Sequence, residues 1–417
     1  MGDIFTFPSS VISLQNLNEV NMPISRHSLH PFPARMAPEI VVKAINSVPR
    51  GASVLDTMCG SGTVLRESVM HGHHAIGFDV DPLAVLISKV STTRLDLDLL
   101  MKKADDLANQ AESKTAKSIQ LPWIDTDEET QKFIRFWFGP KQCVSLRALA
   151  WLTYRTRGPI GDALRVAISK IIITKEPCAS LARDTSHSRP HRIAFHNTYD
   201  VIQGFRKAVV DIRNKLAEDE FIGSAEVSRC DARRLPSWIT SKVQLVVTSP
   251  PYGNAIDYVR GHRLALVWLG YNLKRIRMIN AHNVGRQTGT CWNKCRCTSE
   301  LMAQLGRTEQ FEPVIKQRLA LYVQDMYSVI QEIHRSLVGN GHVILVVGNS
   351  SINGQFVDNA NMTAMACKQI GLQEIGRYSR EIPANHRYLP PPRSGGDSSL
   401  GKRMKEEVVL TFKKICY

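Results

Sequence analysis

The chain lacks any apolar run of the roughly 18 residues needed to cross a bilayer as a helix, so an integral helical membrane protein is not expected. It also lacks a cysteine framework. The nine cysteines are Cys59, Cys143, Cys178, Cys230, Cys291, Cys295, Cys297, Cys367 and Cys416. They are odd in number and mostly scattered among apolar neighbours, which suits reduced thiols better than disulfides. The opening MGDIFTFPSSVISL has neither the basic region nor the long apolar stretch of a secretory leader, although Met-Gly-x-x-x-Thr fits the loose myristoylation pattern. A cytoplasmic location without a membrane partner is the expectation. No internal repeat and no low-complexity tail are present, so a repeat architecture is not expected.

Acidic residues are scarce beside basic ones: 38 Asp and Glu stand against 53 Lys and Arg, a net charge of +15. That excess favours a polyanionic partner, because Lys and Arg displace counterions from phosphates. It argues against a small cationic substrate and does not separate DNA from RNA. Hydrophobic residues at 43% and charged residues at 22% are ordinary for a folded protein. A length of 417 residues implies two or three domains, or one domain with large insertions.

The first organised unit starts with the short apolar strand SVLD, Ser53 to Asp56, and runs into Thr57-Met58-Cys59-Gly60-Ser61-Gly62-Thr63. A helical stretch, VLRESVMHG, and a second strand, HAIGFDVD, follow, the latter carrying Asp79 and Asp81. Strand, glycine turn, helix and acid-ended strand make a βαβ unit. A long helical and polar region then runs to about Asp219, interrupted by a basic loop from Ala182 to Arg192. Strands resume with AEVSRCDARRLP and VQLVVTSPPY. After a basic, irregular stretch from Asn272 to about Pro313 come a long helix, the turn Gly339-Asn340-Gly341, the strand HVILVVGNS and the strands LQEIGRYSREI and EEVVLTFKK. The predicted class is α/β, with a doubly wound, mostly parallel sheet and a largely helical insertion. The expected division is 1–90, an N-terminal segment with the first half of the core; 91–222, the helical insertion; 223–270, the second half; 271–327, a basic insertion; and 328–417, the last core strands.

Two places carry chemistry. Gly60 and Gly62 let the backbone approach a ligand where a helix begins. A nicotinamide fingerprint needs three glycines directly after the strand, and only two are present, with Asp56 four residues before the first. Asp79, at the end of the second strand, is placed to accept both hydroxyls of a ribose, whereas Asp81 before Pro82 reads equally as a solvated residue or a helix cap. The second place is Thr248-Ser249-Pro250-Pro251-Tyr252. Its two prolines end the strand and fix a stiff turn. The Ser249 hydroxyl and the Pro250 carbonyl are then two acceptors able to hold an exocyclic amine while its lone pair attacks an electrophilic methyl. Tyr252 adds a flat face for an extruded base. Glycine turn, Asp79, Asp231 and proline turn each sit at a strand end, in that order.

In those residues the chain resembles the S-adenosylmethionine-dependent amino-methyltransferases of bacterial and phage DNA modification. The resemblance covers roughly 25–90, 225–270 and 330–417. Asp56 through Gly62 is similar to the cofactor motif Asp-Pro-Phe-x-Gly-x-Gly, departing at Thr57 and Met58. The resemblance implies a Rossmann-like fold, S-adenosylmethionine as cofactor, Asp79 on the ribose, Asp231 on the adenine amino group, and Phe32, within His30-Pro31-Phe32, over the methionine end. Ser249 to Tyr252 matches the catalytic motif, and a leading Ser implies cytosine N4 in duplex DNA. Base flipping, a cognate restriction endonuclease as partner, and a monomeric or homodimeric state are further implications. Open alternatives are adenine N6 methylation on the same scaffold, tRNA guanine N2 methylation, and a non-catalytic nucleic-acid-binding module. Cytosine C5 chemistry would need a Pro-Cys nucleophile, and the one such pair, Pro177-Cys178, falls in the insertion.

Candidate DNA contacts are Arg183, His187, Arg189 and Arg192 of the basic loop, Lys274, Arg275 and Arg277, and Arg377 and Arg380, which suit phosphate contact. Asn385-His386-Arg387-Tyr388 is read as a loop closing on the base. Cys291, Cys295 and Cys297 with His282 lack standard zinc spacing, so no metal is expected.

Overall fold

The computed structural model describes residues 28–32, 35–113, 119–174, 177–183, 191–253, 258–285, 296–353, 355–382 and 406–415. His187, Arg189, Cys291, Cys295 and the Asn385–Tyr388 segment lie outside them.

Seven strands form the central sheet: β1 (Ser53–Asp56), β2 (His74–Asp79), β3 (Ser224–Arg229), β4 (Val243–Thr248), β5 (Leu337–Gly348), β6 (Leu372–Glu381) and β7 (Glu406–Lys414). Their spatial order is β6-β7-β5-β4-β1-β2-β3. Six strands run in one direction, and β7 lies antiparallel between β5 and β6. Because β1 has β2 on one side and β4 on the other, the chain leaves it in both directions. A crevice therefore opens beyond the carboxyl ends of β1 and β4, where doubly wound sheets bind ligands.

Sequence chemistry accounts for these elements. The inner strands β1 and β4 are almost wholly buried and read as continuous apolar runs, as strands covered on both faces must. Helix α1 (Pro38–Ile45) covers one face and shares a core with Val54, Val247 and Ile344. Helix α2 (Thr63–Met70) and helix α3 (Pro82–Ser91) follow β1 and β2. Pro82 occupies the first turn of α3, where a missing N–H costs nothing, and the Asp81 carboxylate accepts from Leu83 N at 2.8 Å. The long helix Pro313–Ser336 closes the other face.

The helical insertion contains α4 (Leu97–Ser113), α5 (Glu128–Trp137), α6 (Pro140–Arg155), α7 (Gly158–Lys170) and α8 (Val201–Ala217). Its apolar stripes do not make a separate core. Leu100, Leu146, Leu164 and Phe205 join Leu65, Leu83 and Ile87 of the sheet-flanking helices in one continuous cluster. The insertion is thus packed onto α2 and α3 at the β1–β2 side of the sheet. Beyond β4 lie α9 (Tyr258–Leu266), α10 (Leu273–Asn280), α11 (Arg296–Ala303), α12 (Pro313–Ser336) and α13 (Asn359–Gln369).

One local expectation changes. Gly339-Asn340-Gly341 does not precede β5 as a free turn; it lies inside the strand as an irregularity. Val243 pairs with Leu337 but Leu245 with His342, and Asn340 takes a left-handed φ of 61°. Asparagine tolerates that region better than most residues, which lets the strand absorb the extra residues.

Candidate active site

The crevice holds an open cleft, lined among others by Phe32, Asp56, Gly60, Asp79, Asp231 and Ser249. Its floor is a hydrogen-bonded glycine turn. Gly60, at φ 50°, donates its N–H to Asp79 Oδ2 at 2.9 Å, and Asp81 N donates to Asp79 Oδ1 at 2.9 Å. Each Asp79 oxygen keeps a further lone pair for a ligand. A Cβ on Gly60 would lie 3.1 Å from the Phe32 ring, so the bare backbone is what lets Phe32 close over the turn.

Asp56 is buried and binds sideways. Thr248 Oγ1 donates to its Oδ1 at 2.7 Å, and Met58 N donates at 3.1 Å. This joins the carboxyl ends of β1 and β4 and fixes Ser249 beside the glycine turn. Burial above all, with a contribution from the neighbouring acid, pushes the Asp56 carboxyl up to about 7 and that of Asp79 up to about 6. Asp56, Asp79, Asp81 and Asp231 make an acidic cleft within a protein of charge +15. Arg35 and His282 line it as well, and Asp81 and Asp231 are paired with His262 and Arg233, so Asp56 and Asp79 are the lining acids without such a partner among the described residues.

Ser249 Oγ donates to the carbonyl of Val346 on β5 at 2.9 Å. With its proton turned into the sheet, the hydroxyl can only accept from other partners, and the Tyr252 side chain is one of its hydrogen-bonding neighbours. Pro251 lines the cleft beside it, while Pro250 is buried. Tyr252 does not line the cleft. It is half-buried and packed against the core cluster that includes Tyr322 and Met326, and burial pushes its phenol up to about 12. Its ring face is therefore turned inward in this conformation, unlike the open face expected from sequence.

Gly62 is also placed differently. It lies outside the main cleft and caps α2 at φ 81°, where a Cβ would sit 2.8 Å from Ser88 Oγ and 3.0 Å from Ser88 Cα. Its role is close packing of α2 on α3. Gly62→Ala is expected to lower stability by about 1–3 kcal/mol in urea unfolding, from left-handed strain plus the clash; a change under about 0.3 kcal/mol would refute the packing role.

Asp81 proves to be a helix cap with a second partner that sequence reasoning missed. Its Oδ2 meets His262 Nδ1 of α9 at 2.5 Å, both side chains are buried, and Phe32 lies 5.1 Å from the His262 ring. The only sequence signal for His262 was its position ten residues beyond Tyr252.

The basic candidates divide. Arg183 and Arg192 stand on a two-residue hairpin, Ala182–Arg183 with His191–Arg192. The Arg192 guanidinium lies 4.8 Å over Phe136 and 5.5 Å from Phe195. Phe195 is 84% exposed and Ile193 61% exposed, an apolar and cationic patch that sequence reading passed over. Lys274 is exposed, and Arg275 lies over Tyr271. The other three are engaged within the chain: Arg277 with Glu129 at 2.8 Å, Arg377 with Glu374 at 2.8 Å, and Arg380 with Glu407 at 3.2 Å. No group of three or more metal-ligating side chains occurs among the described residues. No helix of the described residues is long and apolar enough to cross a membrane.

No family model matches the chain. It is similar to the Type II methyltransferase M.MvaI of Kocuria varians, at 22% identity over 93% of this chain and 90% of the relative. It is also similar to the Type II methyltransferase M.BsoBI of Geobacillus stearothermophilus, at 22% identity over 80% of this chain and 66% of the relative. Among solved structures, a SAM-dependent methyltransferase from Methanosarcina mazei shares 9% identity with a TM-score of 0.35, covering 92% of this chain and all (100%) of that one. A TehB-like SAM-dependent methyltransferase from Corynebacterium glutamicum shares 11% identity with a TM-score of 0.29, covering 90% of this chain and 86% of that one.

Proposed function

We propose that this chain, which belongs to the S-adenosylmethionine-dependent DNA methyltransferases, methylates the exocyclic N4 amine of cytosine in duplex DNA. The observation that carries the reading is the pairing of Ser249, an acceptor at the open end of β4, with the acidic cleft built on Asp56, Gly60 and Asp79. The residues fit the cofactor. Asp79 has lone pairs left for two ribose hydroxyls, Phe32 covers the glycine turn, and the carboxylates favour a sulfonium cation. When bound, S-adenosylmethionine supplies the electrophilic methyl group.

The protein's own contribution is alignment. Ser249 Oγ accepts one hydrogen of the target amine and so directs its lone pair; the Pro250 carbonyl accepts the other once the turn, buried at Pro250 in this conformation, opens to the cleft. No protein nucleophile takes part, because the amine itself attacks, and its proton passes to water. The preference for cytosine N4 over adenine N6 is supported by the leading Ser of the tetrapeptide. Stacking of the base on Tyr252 requires that ring to turn out of the core cluster.

Duplex DNA is held through the exposed cations, above all Arg192 with its aromatic neighbours, then Lys274 and Arg275. Arg192→Ala is expected to reduce the slope of log affinity against log salt by about 0.9, the signature of one lost phosphate contact. Arg277→Ala, already paired, is expected to leave the slope unchanged; equal losses from both would contradict this division. The reaction itself is tested by transfer of a tritiated methyl group to duplex DNA and, in parallel, to tRNA. Incorporation into DNA alone is expected. Incorporation into tRNA, or into neither, would overturn the reading.

A further inference from the structure

Lys274, Arg275 and Arg277, the candidate DNA contacts of the basic insertion, all lie on α10, and a loop follows from Ala281. The structure gives its first part a different neighbour: His282, Asn283 and Val284 form one wall of the cofactor cleft, beside Cys230, Asp231 and Ala232. What joins these two stretches is a single guanidinium.

Arg233 Nε donates to Asp231 Oδ1 at 2.9 Å, and its NH2 group donates to Asp231 Oδ2 at 2.7 Å. The same NH2 group donates to the carbonyl of His282 at 3.0 Å. The NH1 group donates to Asp325 Oδ1 of α12 at 2.7 Å, and Asp325 Oδ2 accepts from Gly285 N at 3.2 Å. Arg233 N also donates to Asp231 Oδ1, at 3.0 Å. Three segments distant in sequence thus meet on one side chain: the turn after β3, the loop 282–285, and α12. Arg233 and Asp325 are both largely shielded from solvent.

Two consequences follow. The Asp231 oxygens are already filled by Arg233, so this acid has little capacity left for an adenine amino group. Arg233 itself is neutralised by two carboxylates and is not available to phosphate. We propose that Arg233 is a positioning residue for the cofactor: with Asp325 it clamps Asp231 and the loop 282–285 together, and so shapes the wall of the cleft beyond β3. The proposal rests on the cofactor reading above.

A lysine cannot reproduce the arrangement, because an ammonium cannot make the bidentate fork to Asp231 while reaching Asp325 and His282 O. The test is calorimetric titration of the full chain with S-adenosylhomocysteine, together with salt-dependent binding of duplex DNA. For Arg233→Gln and Arg233→Lys, Kd for S-adenosylhomocysteine is expected to rise about tenfold or more, the loss of at least one charge-assisted bond to the wall. The KM for the cofactor should rise with it, while DNA affinity and its salt slope stay within about twofold of the parent. If Arg233→Gln fails to fold, Asp325→Asn removes half of the clamp, and faster amide exchange at Gly285 with weaker S-adenosylhomocysteine binding is then expected. Unchanged S-adenosylhomocysteine affinity in a folded clamp variant overturns the proposal, as does a loss confined to DNA binding. Failure of the parent protein to bind S-adenosylhomocysteine at all would instead strike the cofactor reading beneath it.

Discussion

Asp79→Asn is expected to weaken binding of S-adenosylhomocysteine by at least about 100-fold. Two losses combine in this substitution. The ribose hydroxyls lose charge-assisted bonds, each contributing about 1.5–3 kcal/mol. The glycine turn is disturbed as well, since Gly60 N and Asp81 N now donate to opposite oxygens of the carboxylate. An amide offers one oxygen only and sets its NH2 group against the other N–H. Calorimetric titration checks the effect; a loss below about tenfold would mean that Asp79 is not the sugar-binding acid. A pH dependence accompanies it. Burial raises Asp79 to about 6, and binding needs the ionised form, so cofactor affinity in the parent protein should fall as pH drops through about 6. Folding stability from this group has the opposite sign. A carboxyl raised above its unfolded value of 3.8 favours the folded state when protonated, so this contribution is present at low pH and lost as pH rises to about 6. The ligand-induced shift in Tm should therefore shrink on acidification even where the ligand-free protein does not lose stability through Asp79.

Ser249→Ala is expected to lower kcat about 100- to 1000-fold while leaving S-adenosylhomocysteine affinity within about twofold. The magnitude is that of removing one fixed hydrogen-bonding group from a transition state. The structural cost is small, because Val346 O loses one donor at the open end of the sheet, about 0.5–1.5 kcal/mol. Single-turnover methyl transfer separates the two effects, and retention of more than about a tenth of the parent rate would remove Ser249 from the reaction. Tyr252 needs a gentler probe. Its packing against the core means that Tyr252→Ala opens a cavity costing about 3–5 kcal/mol, in addition to any loss of stacking. Tyr252→Phe keeps both the ring and its packing, and so tests the hydroxyl alone.

The strands of the sheet and its mostly parallel character were legible because their causes are local. Apolar runs ended by Gly, Asp or Pro-Pro mark β1, β2 and β4, and each ends at the cleft. Asp79 and Ser249 were legible for the same reason, since a residue at the end of such a strand faces the crevice whatever the remainder of the chain does. Residues whose roles come from partners remote in sequence were not legible. Arg233 looks like any basic residue after a strand, until Asp325, 92 positions away, is brought beside it. Arg277, Arg377 and Arg380 looked equally free in sequence, yet pairing across elements engages them. The distinction between Gly60 and Gly62 was hidden as well. Both have positive φ, and only the packing of α3 shows that Gly60 lines the cleft while Gly62 faces a neighbouring helix.

The central claim is that this acidic cleft and Ser249 together methylate an exocyclic cytosine amine in DNA. Its most direct test is to incubate the protein with duplex DNA and S-adenosylmethionine, digest the DNA to nucleosides and separate them by mass spectrometry. N4-methylcytosine is the expected product, lost in Ser249→Ala. N6-methyladenine in its place would contradict the assignment of the target base, and the absence of any methylated nucleoside would contradict the assignment of the activity.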